Sequence, residues 1–299
     1  MDLKILENCN ICPHNCNVNR LNNKIGWCKS KDTVKVAKFS THNFEEPCIS
    51  GKNGSGTVFF SNCNMKCVFC QNYEISQQGV GQEISIQDLA NIFVKQQEKG
   101  VENINLVTPT SYVPQIIEAL KIAKSNGLHI PIVYNTNGYE KVETLKMLEG
   151  YIDIYLPDFK YSDNDLAKRF SKVDNYFEVT TKALIEMYRQ TGKFEFTNEG
   201  IMKKGMIIRH LVLPNHILNS RRVLKWINDN MNDVYVSVMA QYFPTYKAKE
   251  IKDINRKLTK EEYEKIENYL YSLNIENGYI QELGDHEEEY VPKWNQKVI

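Results

Sequence analysis

The sequence lacks any apolar run near the ~20 residues that a membrane-spanning helix needs, and it has no surplus of either charge. Thirty-seven Lys and Arg balance thirty-seven Asp and Glu. That balance argues against nucleic-acid backbone as the main partner, because phosphate binding needs excess cations. No fixed-period repeat and no low-complexity stretch interrupts the chain. The opening MDLKILENCNICPHNC has no basic segment followed by an apolar one, so the expectation is no signal peptide and a cytoplasmic protein. Above all, no cysteine occurs after residue 70.

All eight cysteines, Cys9, Cys12, Cys16, Cys28, Cys48, Cys63, Cys67 and Cys70, therefore crowd into the first quarter of the chain. A reducing compartment disfavours structural disulfides, and thiols clustered in this way point to metal.

From about residue 56 the hydrophobic pattern alternates between short β-branched or aromatic runs and helical periodicity. Strands are expected at 57–60, 103–107, 130–134, 152–156, 206–213, 234–239 and 279–281. Helices are expected at 85–99, 113–124, 142–148, 166–170, 177–188, 218–227 and 261–273. Ser85 with Asp88 fits a capping box, and Gly100 ends that helix. Six or seven β-α units in series predict an α/β fold, a parallel sheet with right-handed crossovers that curls into a full or partial barrel. In such barrels the chemistry sits at the C-terminal strand ends. Residues 1–50 stand outside this rhythm and are expected to form a separate Cys-rich metal-binding segment. The barrel is assigned to 51–285 and a solvated tail to 286–299.

Directly after the first barrel strand comes Cys63-Asn-Met-Lys-Cys67-Val-Phe69-Cys70, a C-x3-C-x2-C loop with an aromatic residue before its last cysteine. Free buried thiols, a zinc site with a distant fourth ligand, and a redox dithiol each account for part of it. A four-iron cluster held by three thiolates, with one iron left open, accounts for all of it.

This loop, within the run from Gly54 to Tyr73, resembles the radical S-adenosylmethionine superfamily. More narrowly it resembles the branch named after pyruvate formate-lyase activating enzyme, among members with an extra N-terminal Cys motif. The likeness spans about residues 5–285. It implies a partial (β/α)6 barrel, a [4Fe–4S] cluster on Cys63, Cys67 and Cys70, and S-adenosylmethionine chelated by the open iron. Reductive cleavage would then give a 5′-deoxyadenosyl radical that abstracts hydrogen from a peptide, protein or small molecule. An electron donor of the flavodoxin or ferredoxin type is implied too.

The strand ends supply the cofactor cradle that the resemblance implies: Phe69, Thr108, Thr110, Asn135, Thr136, Asn137, Asp158, Lys160, Arg209 and Gln241. The chain departs from the family in three places. It has Thr108-Pro109-Thr110 where an acid is common, Asn135 where Asp is common, and no His near 241–244, so Gln241 or Tyr242 must serve the ribose. Asp158 and Lys160 point the same way and also suit a plain ion pair. Arg209 suits a cofactor contact or a lumen network, and His210, on the opposite face, a packed core histidine.

Cys9, Cys12, Cys16 and Cys28 have metal-ligand spacing, with structural zinc favoured over a second iron–sulfur cluster. His14 is a lesser ligand candidate. Cys48 is read as a buried inert thiol, with a lumen thiol or a fifth ligand as alternatives. Three functions follow: activation of a glycyl radical enzyme, radical modification of another substrate, or a metal-stapled binding module without catalysis.

Overall fold

The structure is a computed structural model, and it describes residues 3–284 and Trp294. In chain order its elements are β1 (Val34–His42), α1 (Pro47–Ser50), β2 (Ser55–Phe60), α2 (Tyr73–Ser76), β3 (Gln82–Ile84), α3 (Ile86–Glu98), β4 (Ile104–Val107) and α4 (Val113–Ser125). β5 (Ile132–Thr136), α5 (Val142–Met147), β6 (Ile154–Pro157), α6 (Asn164–Ser171), α7 (Tyr176–Thr191), β7 (Glu195–Phe196) and β8 (Met202–Leu211) follow. The described chain closes with α8 (Ile217–Asn230), β9 (Tyr235–Met239), α9 (Lys260–Tyr271) and β10 (Gly278–Ile280).

The sheet runs β10-β9-β8-β6-β5-β4-β2-β1-β3, with β7 paired to β8. From β2 to β10 every neighbouring pair is parallel. Every residue of β2, β5 and β6 is buried, as expected of parallel strands covered on both faces. The two ends of the sheet do not pair, so the barrel is partial. Helix α3 begins as the sequence predicts: Ser85 accepts from the Asp88 amide and Asp88 returns a bond to Ser85.

The boundary expected at residue 50 is corrected. β1, nine residues long, pairs antiparallel with both β2 and β3, so 34–42 belongs to the sheet. Its sequence, Val34-Lys-Val-Ala-Lys-Phe, alternates poorly, and its inner edge is buried by neighbouring strands rather than by its own pattern. After β1 the chain dips beneath the barrel. Cys48 and Ile49 of α1 pack with Val133, Ile154, Leu156, Met202 and Ile207 to form the lumen floor. The tail expected at 286–299 lies outside the described residues except Trp294, which is buried with its ring 5.2 Å from that of Phe59. Among the described residues no helix is long and apolar enough to cross a membrane.

Candidate radical cofactor site

The Cys63–Cys70 loop follows β2 and is fastened on every side. The amides of Lys66 and Val68 donate to the carbonyls of Ser171 and Phe170, at 2.9 and 2.8 Å, and Ala248 N donates to Val68 O at 2.9 Å. Asn64 Nδ2 donates to Tyr139 O at 2.6 Å and Gln77 Nε2 to Cys67 O at 2.9 Å. This bracing fixes the direction of three thiols.

Each thiol has a polar neighbour. Met65 N and Asn137 Nδ2 both donate to Cys63 Sγ at 3.3 Å. Ser171 Oγ donates to Cys67 Sγ at 3.1 Å, and Ser76 Oγ lies 3.3 Å from Cys70 Sγ. Donors aimed at sulfur favour the thiolate that binds metal. Burial works the other way: it pushes all three thiols up, Cys70 to about 11. Three such thiols with N–H and O–H partners form a donor set that suits an iron–sulfur cluster.

All three open onto one cavity of about 210 Å³ at the strand ends. Phe69, Thr108, Asn135, Thr136, Asn137, Asp158, Lys160 and Gln241 line the same space. Phe69 is braced edge-on by Tyr242 at 5.9 Å. Thr108 holds a positive φ of 60°, which turns the chain sharply after β4. Tyr242 spends its hydroxyl on Ile254 O, whereas Gln241 lies on the cavity wall with its Oε1 accepting from Gln281 Nε2 at 3.2 Å.

Thr110 is a correction. It is buried away from the cavity, and its hydroxyl donates to Glu140 Oε1 at 2.6 Å. The turn after β4 points it into a polar core pocket where Thr136 and Tyr134 also donate to Glu140.

Deeper in the barrel lies a network that the sequence outlined only in part. Lys160 Nζ is 2.6 Å from Asp158 Oδ2. Arg209 faces the lumen and donates three ways: Nε to Asp158 at 2.9 Å, Nη1 to Glu45 at 3.3 Å and Nη2 to Asn135 at 2.6 Å. Burial alone would push Asp158 up, but Arg209 and Lys160 overcome it and hold its carboxyl below the usual range. The neighbouring His210 points outward, bonded to Phe159 O and Ser220 Oγ, and burial pushes it down to about 4. It is a packed core histidine.

Glu45 and Glu46 were missed as site residues. They line a second cavity of about 410 Å³, walled also by Arg209, Asn135, Ser237 and Gln281. Gln71, Asn72, Val107, Asn135, Met239 and Gln241 line both cavities. The available signal was an acidic pair just before a proline, Glu45-Glu46-Pro47, directly ahead of Cys48. Cys48 itself sits in the lumen floor, off the cavity walls, and burial pushes its thiol up to about 11.

Of the N-terminal thiols, Cys9 and Cys12 are buried and Cys16 and Cys28 half-buried. A Cβ on Gly26 would meet Cys16 Sγ at 2.7 Å, so Gly26 leaves the room that this thiol occupies. Among the described residues no three His, Cys, Asp or Glu side chains converge tightly enough to hold a single metal ion. The knot docks on the cluster loop and the barrel. His14 Nε2 bonds Asn64 O at 2.7 Å, so its ring faces that loop. Lys66 Nζ lies 4.4 Å above the Trp27 ring. Thr144 Oγ1 donates to Ile11 O at 2.6 Å and Arg20 Nη1 to Ser111 O at 2.8 Å.

The radical SAM superfamily model matches residues 57–198. An uncharacterised protein of Methanocaldococcus jannaschii is 36% identical over 286 residues, covering 92% of this chain and 78% of the relative. A second uncharacterised protein of that organism is 21% identical over 265 residues, covering 81% and 72%. Among solved structures, Streptococcus suis SuiB bound to the precursor peptide SuiA has a TM-score of 0.50 at 16% identity. The match covers 74% of this chain and 46% of SuiB, so the chain spans less than half of SuiB's length, and the likeness is one of fold.

Proposed function

We propose that the chain is a radical S-adenosylmethionine enzyme, the superfamily whose model matches residues 57–198, and that Cys63, Cys67 and Cys70 hold a [4Fe–4S] cluster, with S-adenosylmethionine in the thiol-lined cavity and the substrate in the adjoining lumen. When bound, cluster and cofactor supply reductive cleavage of the sulfonium and abstraction of a hydrogen atom from the substrate. The observation that carries this reading is the shared cavity: three thiols from one loop and the polar ends of β4, β5 and β6 line a single space.

The protein's part is to bind, orient and exclude water. Asn137 and Ser171 donate to the cluster thiolates. Thr108 and Gln241 offer hydrogen bonds to the amino, carboxylate and ribose groups of the cofactor, while Asn135 and Thr136, committed to Glu45, Arg209 and Glu140, shape the wall behind them. Lys160 and Asp158 present an ion pair at the same wall, and Phe69 an apolar surface. The reaction class is radical modification of a peptide, a protein side chain or a small molecule, driven by a flavodoxin- or ferredoxin-type reductant. Activation of a glycyl radical enzyme is its branch-specific form. The spacing of Cys9, Cys12, Cys16 and Cys28 supports a second metal, structural zinc ahead of another cluster, and binding it requires these thiols to draw closer than they stand.

Iron, sulfide, zinc and Mössbauer analysis of anaerobically purified protein tests this, with wild type beside a Cys63/Cys67/Cys70→Ala triple variant. The expected variant loses its iron–sulfur signal and keeps about one zinc. A cubane signal surviving in the variant would place a cluster in the N-terminal knot. Wild type without any cubane would overturn the reading.

A further inference from the structure

The segment between β1 and β2 delivers two carboxylates to the lumen. Glu45 accepts from Asn105 Nδ2 at 3.2 Å, from Asn135 Nδ2 at 3.4 Å and from Arg209 at 3.3 Å. Glu46 is 9% exposed and lines the 410 Å³ cavity. Its Oε2 is buried without a hydrogen-bond partner, a costly arrangement for a carboxylate.

The charges around this space do not balance. On its wall, among the described residues, Glu45 and Glu46 face the one cation Arg209, and behind Arg209 lies the pair Asp158 and Lys160. Lys160 is committed to Asp158, and each donor edge of Arg209 is already taken, by Asp158, Glu45 and Asn135. The other titratable groups on the wall add no cation: burial holds His42 toward its neutral form and pushes the Tyr279 hydroxyl up. Burial likewise pushes Glu45 and Glu46 up, with Arg209 pulling the other way. Ionised, Glu46 is a buried surplus carboxylate beside an open cavity, and a bound cation offsets the burial that otherwise favours its neutral form.

We propose that Glu46, with Glu45 beside it, is the recognition element for an organic cation, binding an ammonium or guanidinium group of the substrate in this cavity. The inference rests on the substrate reading above and supplies its chemical class. An anionic substrate would have to strip Arg209 of three partners, whereas a cation completes Glu46. The cavity shares six wall residues with the thiol-lined one, so a group anchored there lies next to the cofactor.

The test uses reconstituted holoenzyme with saturating S-adenosylhomocysteine. Calorimetry compares N-acetyl-arginine amide and N-acetyl-lysine amide with their neutral counterparts, N-acetyl-citrulline amide and N-acetyl-norleucine amide. A charged hydrogen bond of this kind gives a preference of about tenfold or more for the cations. Glu46→Gln should abolish that preference. Equal binding of cation and neutral probe by wild type overturns the inference without any variant. A preference that survives Glu46→Gln, while affinity for S-adenosylmethionine falls, assigns the carboxylate to the cofactor and also overturns it. Formation of 5′-deoxyadenosine under dithionite is read on the same preparation. No cleavage with intact cation preference sinks the radical reading alone, and cleavage without preference sinks this inference alone.

Discussion

At the scale of single residues, Glu140 shows how the core reaches the site. Its carboxyl accepts from Thr110, Thr136 and Tyr134, and Oε2 has no partner. Burial outweighs those bonds and pushes the group up from 4.5 to about 7. The fold therefore favours the protonated form. The stability this contributes is full below pH 4.5, falls as pH rises toward 7, and is gone above it. Glu140→Gln keeps a neutral, hydrogen-bonding side chain and lacks this dependence. Wild type should lose about 3 kcal/mol relative to the variant between pH 5 and pH 8, measured by urea unfolding. Parallel stability curves would refute the assignment. Thr136 links this carboxyl to the thiol-lined cavity, and nothing in the sequence around Glu140 marks it. Its role comes from β4 and β5 meeting side by side. Cys63, Cys67 and Cys70, by contrast, were legible because their spacing is local and metal chemistry needs several thiols at once. Asp158 and Lys160 were legible because alternation along a strand fixes their common face. Glu45 and Glu46 were not, because only the return of the chain beneath the barrel brings them to Arg209.

At the scale of elements, the turns after the strands carry the site, and the turn between β5 and α5 shows how closely they pack. Asn135 and Thr136 end β5, Asn137 bonds Cys63 and Asn64, and Gly138 then takes φ 79°. A Cβ on Gly138 would collide with the carbonyl oxygen of Asp158, so the turn and the end of β6 can approach closely only through glycine. Gly138→Ala should cost about 1–3 kcal/mol by chemical denaturation. The displaced Asn137 should also lower iron retention at the Cys63–Cys70 loop, measured as iron per chain. A variant with wild-type stability and iron would contradict this reading of the turn. The barrel's alternation of strand and helix was readable because each β-α unit repeats one hydrophobic pattern. β1 was not, since an antiparallel strand ahead of the first unit belongs to no such repeat and sits among cysteines.

At the scale of the whole molecule, the N-terminal knot is part of the barrel's folding unit. His14, Ile11 and Arg20 bond Asn64, Thr144 and Ser111, which lie in three separate parts of the barrel. Cys12→Ala should therefore lower the midpoint of one cooperative thermal transition by several degrees rather than split off an early one, as calorimetry would show. Two separate transitions would mean that the knot is an independent module.

The central claim is that the thiol-lined cavity performs radical cofactor cleavage. Its most direct test is 5′-deoxyadenosine formation from S-adenosylmethionine by reconstituted, dithionite-reduced protein, with the Cys63/Cys67/Cys70→Ala variant alongside. The account predicts 5′-deoxyadenosine and methionine in equal amounts from wild type and none above background from the variant. Equal yields from the two proteins, or none from a wild type shown to carry a full cluster, would contradict it.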